Sequence, residues 1–594
     1  MDKTLTHLFT EYIAKTGMSK ETFFTKVDDE YIPFSNKDLI HQIYNLINFF
    51  REHNLNEGDK VAIISENCTE WVAVDFACMF MKLISIPIYT SQSLLQIEYI
   101  LDNSESAICF VSNTNLLSKV MQLKNNLPCL KDVVAFKNTD TSKYVNENIS
   151  LFSEIVNRHD FVSEKIITDL LTELSEKISD SDILTMIYTS GTTGVPKGVM
   201  LTHKNIYSNI TACQKVLVID DKDTFLSYLP YSHSYERTTG YYLPLFCGAK
   251  IYYAQNIDTI AKQLTETNPT IVITVPRLLD KIYNKLNNSS EEMKDGFKKK
   301  IFSWAIDIAR SGNTDIKKSL KWKTADKLVY RKIREKTGGR IRFFVSGGGA
   351  LNKSIGDFFE MTGIEILEGY GMTETSPVIT VNPPHKNKYG TVGLPLSGVE
   401  VRLSDENEIL VKGELVMKGY YKDELATNET IKDGWLYTGD IGQFDSDGYL
   451  MITDRKKSLM KTSGGKYVSP TQIEDLILSL QYVENAMVIG NERMYITAIM
   501  TADKSGMIKF AERNNISFGT FSELLSNRAL LNLIQKDIDS LQKDLANYER
   551  IRKFTLIENH FSIEGGELTP TLKVKRKFVE EKFKDEIDNM YLKI

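Results

Sequence analysis

An apolar, β-branched run, Ile183-Leu-Thr-Met-Ile, passes directly into Tyr188-Thr-Ser-Gly-Thr-Thr-Gly-Val-Pro-Lys-Gly-Val-Met-Leu-Thr-His203, and this junction narrows the folds open to the chain more than any other stretch. The run reads as a buried strand. Beyond it lie Thr189, Ser190, Thr192, Thr193 and Thr202, the glycines 191, 194 and 198, and Lys197. Glycines let backbone N–H groups approach an anion and form an anion-binding concavity. Hydroxyls add donors, and Lys197 adds charge. The stretch reads as a polyphosphate-binding loop at the end of a strand. It is not a Walker A loop, because Pro196 precedes the lysine and Gly198 follows it. A solvated Ser/Thr/Gly turn is the plain alternative.

At 594 residues the chain is too long for one core, so two or more domains are expected. A net charge of −6 argues against a general nucleic-acid binder. Six cysteines are scattered at 68, 78, 109, 129, 213 and 247 without a CxxC pair, which points to a reducing compartment rather than a zinc or disulfide framework. The N-terminus lacks the pattern of a signal peptide. The apolar segment Trp71 to Tyr89 is broken by Asp75, Lys82 and Pro87, too often for a membrane span. A cytoplasmic location is expected; peripheral contact with a membrane and an oligomeric state stay open.

Strand-like and helical runs alternate from residue 38 to about 150. Val61–Ser65, Ser85–Tyr89 and Ala107–Val111 read as strands, and Thr69–Lys82 and Leu95–Leu101 as helices. Such alternation implies βαβ units and a mostly parallel sheet. The stretch 137–150 reads as a surface loop. Asp223–Leu229 and Thr270–Val275 are further strands, and Pro276 opens a helix. Residues 286–338 are charged and helical, with apolar positions 301, 302, 304, 305 and 308; they read as a solvated helical pair on the sheet's flank. Arg342–Ser346 runs into Gly347-Gly-Gly-Ala350, and Ile364–Leu367 into Glu368-Gly-Tyr-Gly-Met-Thr-Glu-Thr375. Two strands ending in glycine-rich turns place backbone at the carboxyl edge of a sheet, where open α/β folds bind ligands. Neither string fits GxGxxG. Short alternating runs from about 388 suggest a β-rich subdomain. Beyond Asp454-Arg455-Lys456-Lys457, Ser469-Pro-Thr-Gln472 predicts a capping box, and the rest reads as a small α+β domain.

In Tyr370-Gly-Met-Thr-Glu374 the ring could stack on a base, Thr373 bond a phosphate and Glu374 hold Mg²⁺, which takes few protein ligands beside phosphate oxygens. Asp440, after a glycine turn, suits two ribose hydroxyls, and Arg455 the same ribose or a phosphate. Alone, each string is an ordinary turn or solvated charge. In order, with Gly413-Glu414, Gly419-Tyr-Tyr and Asp-Arg-Lys-Lys457, they resemble the motifs of the acyl-adenylate-forming superfamily: acyl-CoA synthetases, peptide-synthetase adenylation domains and luciferases. The resemblance is closest to bacterial long-chain fatty acid–CoA ligases and runs from Tyr89 to Lys573.

That resemblance implies an α/β fold with a large N-terminal adenylate-forming domain, residues 1–456 (αβαβα sheets plus a β-rich subdomain), and a small mobile α+β C-terminal domain, residues 457–594. It implies ATP, Mg²⁺ and CoA as cofactors or co-substrates and a fatty acid as acyl donor. Thr189, Ser190, Gly191, Thr192, Thr193, Gly194 and Lys197 would hold the β- and γ-phosphates. Gly348, Gly349 and Tyr370 would frame adenine, Thr373 the α-phosphate, Glu374 the Mg²⁺, and Asp440 and Arg455 the ribose. His233 and Gly371 would border the acyl substrate, although a lone histidine is commonly a packed, hydrogen-bonded residue. Lys457 matches the hinge, Gly464 the pantetheine tunnel and Lys461 the thioester-forming state. Lys573, in Leu568-Thr-Pro-Thr-Leu-Lys573-Val-Lys-Arg576, matches the adenylation lysine, with Lys575 its rival. Other readings are a ligase for medium-chain or aryl acids, an acyl-adenylate donor to a carrier protein, and a catalytically silent scaffold.

Overall fold

The computed structural model describes the chain except residues 1–3, 137–138, 145–146, 148, 158–161, 191–194, 257–258, 293–295, 457–459, 465, 481, 544, 563–564, 569–573 and 593–594. Two compact units form. The first comprises residues 1–402, 410–437 and 444–451; the second takes 403–409, 438–443 and 452–594. This division differs from a cut at 456/457 by placing Asp440 and Arg455 in the second unit.

Among the described residues, the first unit contains two large sheets of nine and eight strands. In the eight-stranded sheet Lys60–Ile64 lies between Ile84–Ile88 and Ser106–Val111, all parallel, as the βαβ alternation predicts. Strand Ile183–Ser190 joins the far side of Ile84–Ile88. It does not stop at Ile187. It continues through Tyr188, Thr189 and Ser190 and returns antiparallel as Pro196–Thr202, pairing Thr189 with Lys197 and Ser190 with Pro196. Thr189, Ser190 and Lys197, anticipated as loop residues, therefore lie in paired strands. Pro196, at the first position of its strand, is where a missing N–H is tolerated. Thr202 is spent on structure. Its Oγ1 accepts from Asn205 N–H (3.2 Å), and Asn205 Oδ1 accepts from Thr202 N–H (2.8 Å), capping helix His203–Leu217.

In the nine-stranded sheet Thr224–Ser227, Ile271–Thr274, Phe343–Ser346 and Glu365–Gly371 run parallel. The last of these departs from expectation. Instead of turning at Gly369 it carries on through Gly371 and pairs antiparallel with Val378–Val381. Gly371 permits this, since a Cβ there would stand 1.9 Å from the Pro377 carbonyl oxygen. The predicted loop at 137–150 also ends in structure: Ile149–Leu151 adds an edge strand to Asp132–Ala135. Residues 4–35, not assigned from sequence, include helix Leu5–Thr16 and the hairpin Glu21–Val27/Glu30–Ser35.

Helix Thr69–Phe80 is buried along nearly its whole length, Asp75 included. Asp75 pairs with Arg237, itself only 1 % exposed. Arg237 also donates to Thr185 Oγ1 (2.7 Å), Ser85 Oγ (2.8 Å) and Tyr242 Oη (2.8 Å), and Tyr242 donates to Asp75 Oδ2 (2.6 Å). A buried guanidinium survives only when so satisfied.

The second unit builds its core on Val483–Ile489, Ile496–Ala502 and Ile551–Ile557, covered by helices Pro470–Leu478 and Arg528–Leu541. Ser469 Oγ accepts from Gln472 N–H (3.4 Å), one half of the expected capping box.

All 4 tryptophans (71, 304, 322, 435) lie in the first unit, so their fluorescence follows its unfolding. Asp75→Ala, which strands Arg237, is expected to destabilise that transition in urea by about 3–5 kcal/mol. An Asp75→Leu/Arg237→Met double variant should recover most of the loss. A double variant as unstable as the single one would contradict the burial argument.

Candidate functional site

The hairpin Ile183–Ser190/Pro196–Thr202 positions Lys197. Its Nζ lies 3.2 Å from Asp423 and 5.2 Å from the ring centroid of Tyr420. Tyr420 is carried by the short strand Gly419–Tyr420, paired with Val199 and Met200. Two asparagines of helix His203–Leu217 brace the surroundings. Asn205 Nδ2 donates to the carbonyls of Glu414 (2.7 Å) and Val416 (2.9 Å), and Asn209 Nδ2 to that of Val378 (2.7 Å). Tyr420 then donates its hydroxyl to Glu374 Oε1 (2.8 Å). Burial, with the Glu374 charge beside it, pushes the Tyr420 phenol well above its ordinary range. One tyrosine thus joins Lys197 to Glu374, the candidate metal ligand. Sequence reading singled out Gly419-Tyr-Tyr as a motif without a role; the register with Val199 is what supplies it.

Glu374 is buried in the turn Thr373–Thr375, and its carbonyl accepts from Met417 N–H (2.9 Å). Among the described residues no group of three or more His, Cys, Asp or Glu is placed to hold a metal. A lone buried carboxylate fits magnesium that takes its remaining ligands from phosphate and water. Asp423 caps helix Glu424–Thr430 by accepting from Ala426 N–H (3.0 Å); that bond and Lys197 hold its carboxyl below the usual range. Gly191, Thr192, Thr193 and Gly194 lie outside the described residues.

A pocket in the same unit brings together His233, Gly348, Tyr370 and Gly371, with Cys213, Leu217, Val345 and Val381 giving it an apolar wall. His233 precedes the short helix Ser234–Glu236, and its Nδ1 accepts from Tyr235 N–H (3.1 Å). Ser234 Oγ is 3.2 Å from Thr373 Oγ1. Tyr235 donates to the Val345 carbonyl (2.9 Å), and its ring lies against Gly347, where a Cβ would come within 2.9 Å. Gly348 adopts φ +78°, the left-handed region that favours glycine. Gly349 follows it but does not line the pocket. Behind the pocket wall Glu236 is buried; it accepts from Ser227 Oγ (2.6 Å), its Oε2 has no hydrogen-bond partner, and burial pushes its carboxyl up to about 8.

In the second unit Arg455 Nε lies 3.0 Å from Asp440 Oδ1. Asp440 N–H donates to Thr438 Oγ1 (3.1 Å). Lys461, on strand Met460–Lys461, pairs with Tyr467 of Tyr467–Val468, and Gly464 sits in the intervening turn. Lys461 N–H donates to Asn491 Oδ1 (3.2 Å). Lys457 and Lys573 lie outside the described residues. Lys575 is half-buried, its N–H donating to the Glu567 carbonyl (2.8 Å) just before helix Arg576–Lys582.

The model of the AMP-binding enzyme family matches residues 10–421, and that of the AMP-binding enzyme C-terminal domain residues 457–594. Long-chain-fatty-acid–CoA ligase FadD15 of Mycobacterium bovis is 32% identical over 546 residues, 90% of this chain and 88% of that protein. Peroxisomal long chain acyl-CoA synthetase 6 of Arabidopsis thaliana is 31% identical over 570 residues, 91% of this chain and 78% of that one. Among solved structures, the anthranilate CoA ligase AuaEII in complex with anthranoyl-AMP superposes with a TM-score of 0.73 at 19% identity, covering 98% of this chain and 97% of that one. ATP-bound MatB from Rhodopseudomonas palustris gives 0.69 at 21% identity, covering 98% and 99%.

Glu236 generates a pH test. Its carboxyl titrates near 8 when folded against an ordinary 4.5, so the folded chain keeps a proton that the unfolded chain releases. Its stabilising contribution is complete below about pH 4.5 and is lost as pH rises through about 8. Wild type should lose more stability between those limits than Glu236→Gln, which stays neutral, in urea unfolding followed by tryptophan fluorescence. Parallel pH profiles would contradict the assignment.

Proposed function

Because the chain belongs to the AMP-binding enzyme family and has its α/β adenylate-forming fold, we propose that it is a long-chain fatty acid–CoA ligase, forming acyl-CoA, AMP and pyrophosphate from fatty acid, ATP and CoA. The supporting observation is the single pocket joining residues assigned to the acid, His233 and Gly371, with residues assigned to the nucleotide, Gly348 and Tyr370.

A carboxylate acylates poorly because its oxygen leaves badly. In the proposed reaction that oxygen attacks the α-phosphorus of ATP and pyrophosphate departs, giving acyl-adenylate. The CoA thiolate then attacks the acyl carbon and AMP leaves. Such chemistry depends on positioning and on charge placed where the transition state develops it. In the first unit Thr189, Ser190, Gly191, Thr192, Thr193, Gly194 and Lys197 are assigned to the β- and γ-phosphates, Thr373 to the α-phosphate, and Gly348, Gly349 and Tyr370 to adenine. Glu374, oriented by Tyr420, would hold Mg²⁺, which when bound neutralises phosphate charge. In the second unit Asp440 and Arg455 are assigned to ribose, Lys461 and Gly464 to the thioester half-reaction, and Lys573 to adenylation. The proposed domains are 1–456 and 457–594, the latter moving about Lys457 between the two steps. The proposed location is the cytoplasm, supported by six dispersed cysteines without pair spacing.

The reading is tested by incubating the protein with ATP, magnesium, CoA and acids of graded length while following AMP and thioester. Long-chain acids should give both products in equal amounts; AMP without thioester would overturn it. Lys573→Ala should slow adenylation by roughly two to three powers of ten while sparing thioester formation from supplied acyl-adenylate. Lys575→Ala should leave both half-reactions near wild type. The opposite pattern would move the role to Lys575.

A further inference from the structure

Lys197, assigned to the triphosphate, already has an anionic partner. Its Nζ lies 3.2 Å from Asp423 Oδ2 and over the ring of Tyr420. A pair between two flexible surface side chains would mean little, but here backbone holds both sides. Lys197 stands in strand Pro196–Thr202, paired across to Thr189. The segment that carries Asp423 is stitched to the same strand. Gly419 and Tyr420 pair with Met200 and Val199, and the N–H groups of Lys418 and Tyr421 donate to the carbonyls of Met200 (3.0 Å) and Gly198 (2.8 Å). Thr427 closes the turn, its Oγ1 accepting from Tyr420 N–H (2.9 Å) and donating to the Asp423 carbonyl (2.9 Å).

The carboxylate is fixed as well. Asp423 Oδ1 accepts from Ala426 N–H (3.0 Å) at the start of helix Glu424–Thr430, so turning away from Lys197 would cost the helix its cap. That bond and Lys197 hold the carboxyl below the usual range, so it is charged at neutral pH. The Lys197 and Asp423 side chains are 29% and 37% exposed, and salt screens such a pair less than one wholly in water. An anion arriving at Lys197 meets a lysine whose charge is already matched and a fixed negative charge beside it.

We propose that Asp423 is a positioning residue that competes with phosphate for Lys197 and thereby speeds the departure of pyrophosphate after adenylation. The inference rests on the ligase reading, in which Lys197 holds the β- and γ-phosphates. In that reaction the α-phosphorus loses its bond to the bridging oxygen, and pyrophosphate leaves with the electron pair. The same two phosphates therefore carry one more negative charge as product than as part of ATP. A fixed carboxylate beside them repels the product more than the substrate.

The test is equilibrium dialysis of the full chain with labelled pyrophosphate at fixed magnesium. Asp423→Asn keeps the capping acceptor and removes the charge, so melting temperature should hold. This variant should bind pyrophosphate about tenfold more tightly than wild type, while its KM for ATP falls only about threefold. Its turnover should slow as pyrophosphate accumulates and recover when inorganic pyrophosphatase is added. Glu424→Gln makes the same charge change one residue along and should leave pyrophosphate affinity within about twofold of wild type. Equal or weaker pyrophosphate binding by Asp423→Asn, or equal tightening by Glu424→Gln, would overturn the proposal. Failure of the ligase reading shows separately, as a wild type that makes no acid-dependent AMP, because the dialysis comparison needs no turnover.

Discussion

One buried cation, Arg237, ties together the elements beneath the pocket. Arg237 reaches helix Thr69–Phe80 through Asp75, strand Ile84–Ile88 through Ser85, and strand Ile183–Ser190 through Thr185. Its own backbone N–H donates to the His233 carbonyl (3.0 Å). Strand Ile183–Ser190 and the pocket-lining segment at His233 are therefore tied to one guanidinium. Hydrophobic packing tolerates small shifts, whereas a buried charge that loses a partner is penalised heavily. That asymmetry fixes the spacing between these two segments more tightly than apolar contacts could.

The same logic separates what could be read in the sequence from what could not. Parallel strands with apolar cores and helices at 3.6-residue spacing were legible because they are local. The order of glycine- and hydroxyl-rich strings pointed to nucleotide chemistry, and the pocket unites His233, Gly348, Tyr370 and Gly371. Asp75 was visible only as an interruption of an apolar stretch. A carboxylate inside such a helix signals a buried partner, but that partner is 162 residues away, beyond any local pattern. Tyr420 likewise stands in the Gly419-Tyr-Tyr string, and only its cross-strand register beside Val199 and its bond to Glu374 give it a task. Glycine misled in the opposite direction. Gly369 and Gly371 looked like turn residues, whereas both lie in a strand, and Gly371 lets the Pro377 carbonyl approach.

Charge is segregated along the chain. Within each unit the charges singled out are single ones with defined partners: Lys197 with Asp423 and Arg237 with Asp75 in the first, Arg455 with Asp440 in the second. The helical segment Phe297 to Lys336 collects 13 Lys or Arg against 4 Asp or Glu. Buried or half-buried pairs resist screening, while an exposed basic face acts over about a Debye length and responds to salt.

The measurement closest to the central claim is exchange of labelled pyrophosphate into ATP, with magnesium, in the absence of CoA. Reversible adenylation predicts exchange that requires a fatty acid and that a Lys197→Ala variant loses. No acid-dependent exchange, with protein shown to be folded, would contradict the account at its root.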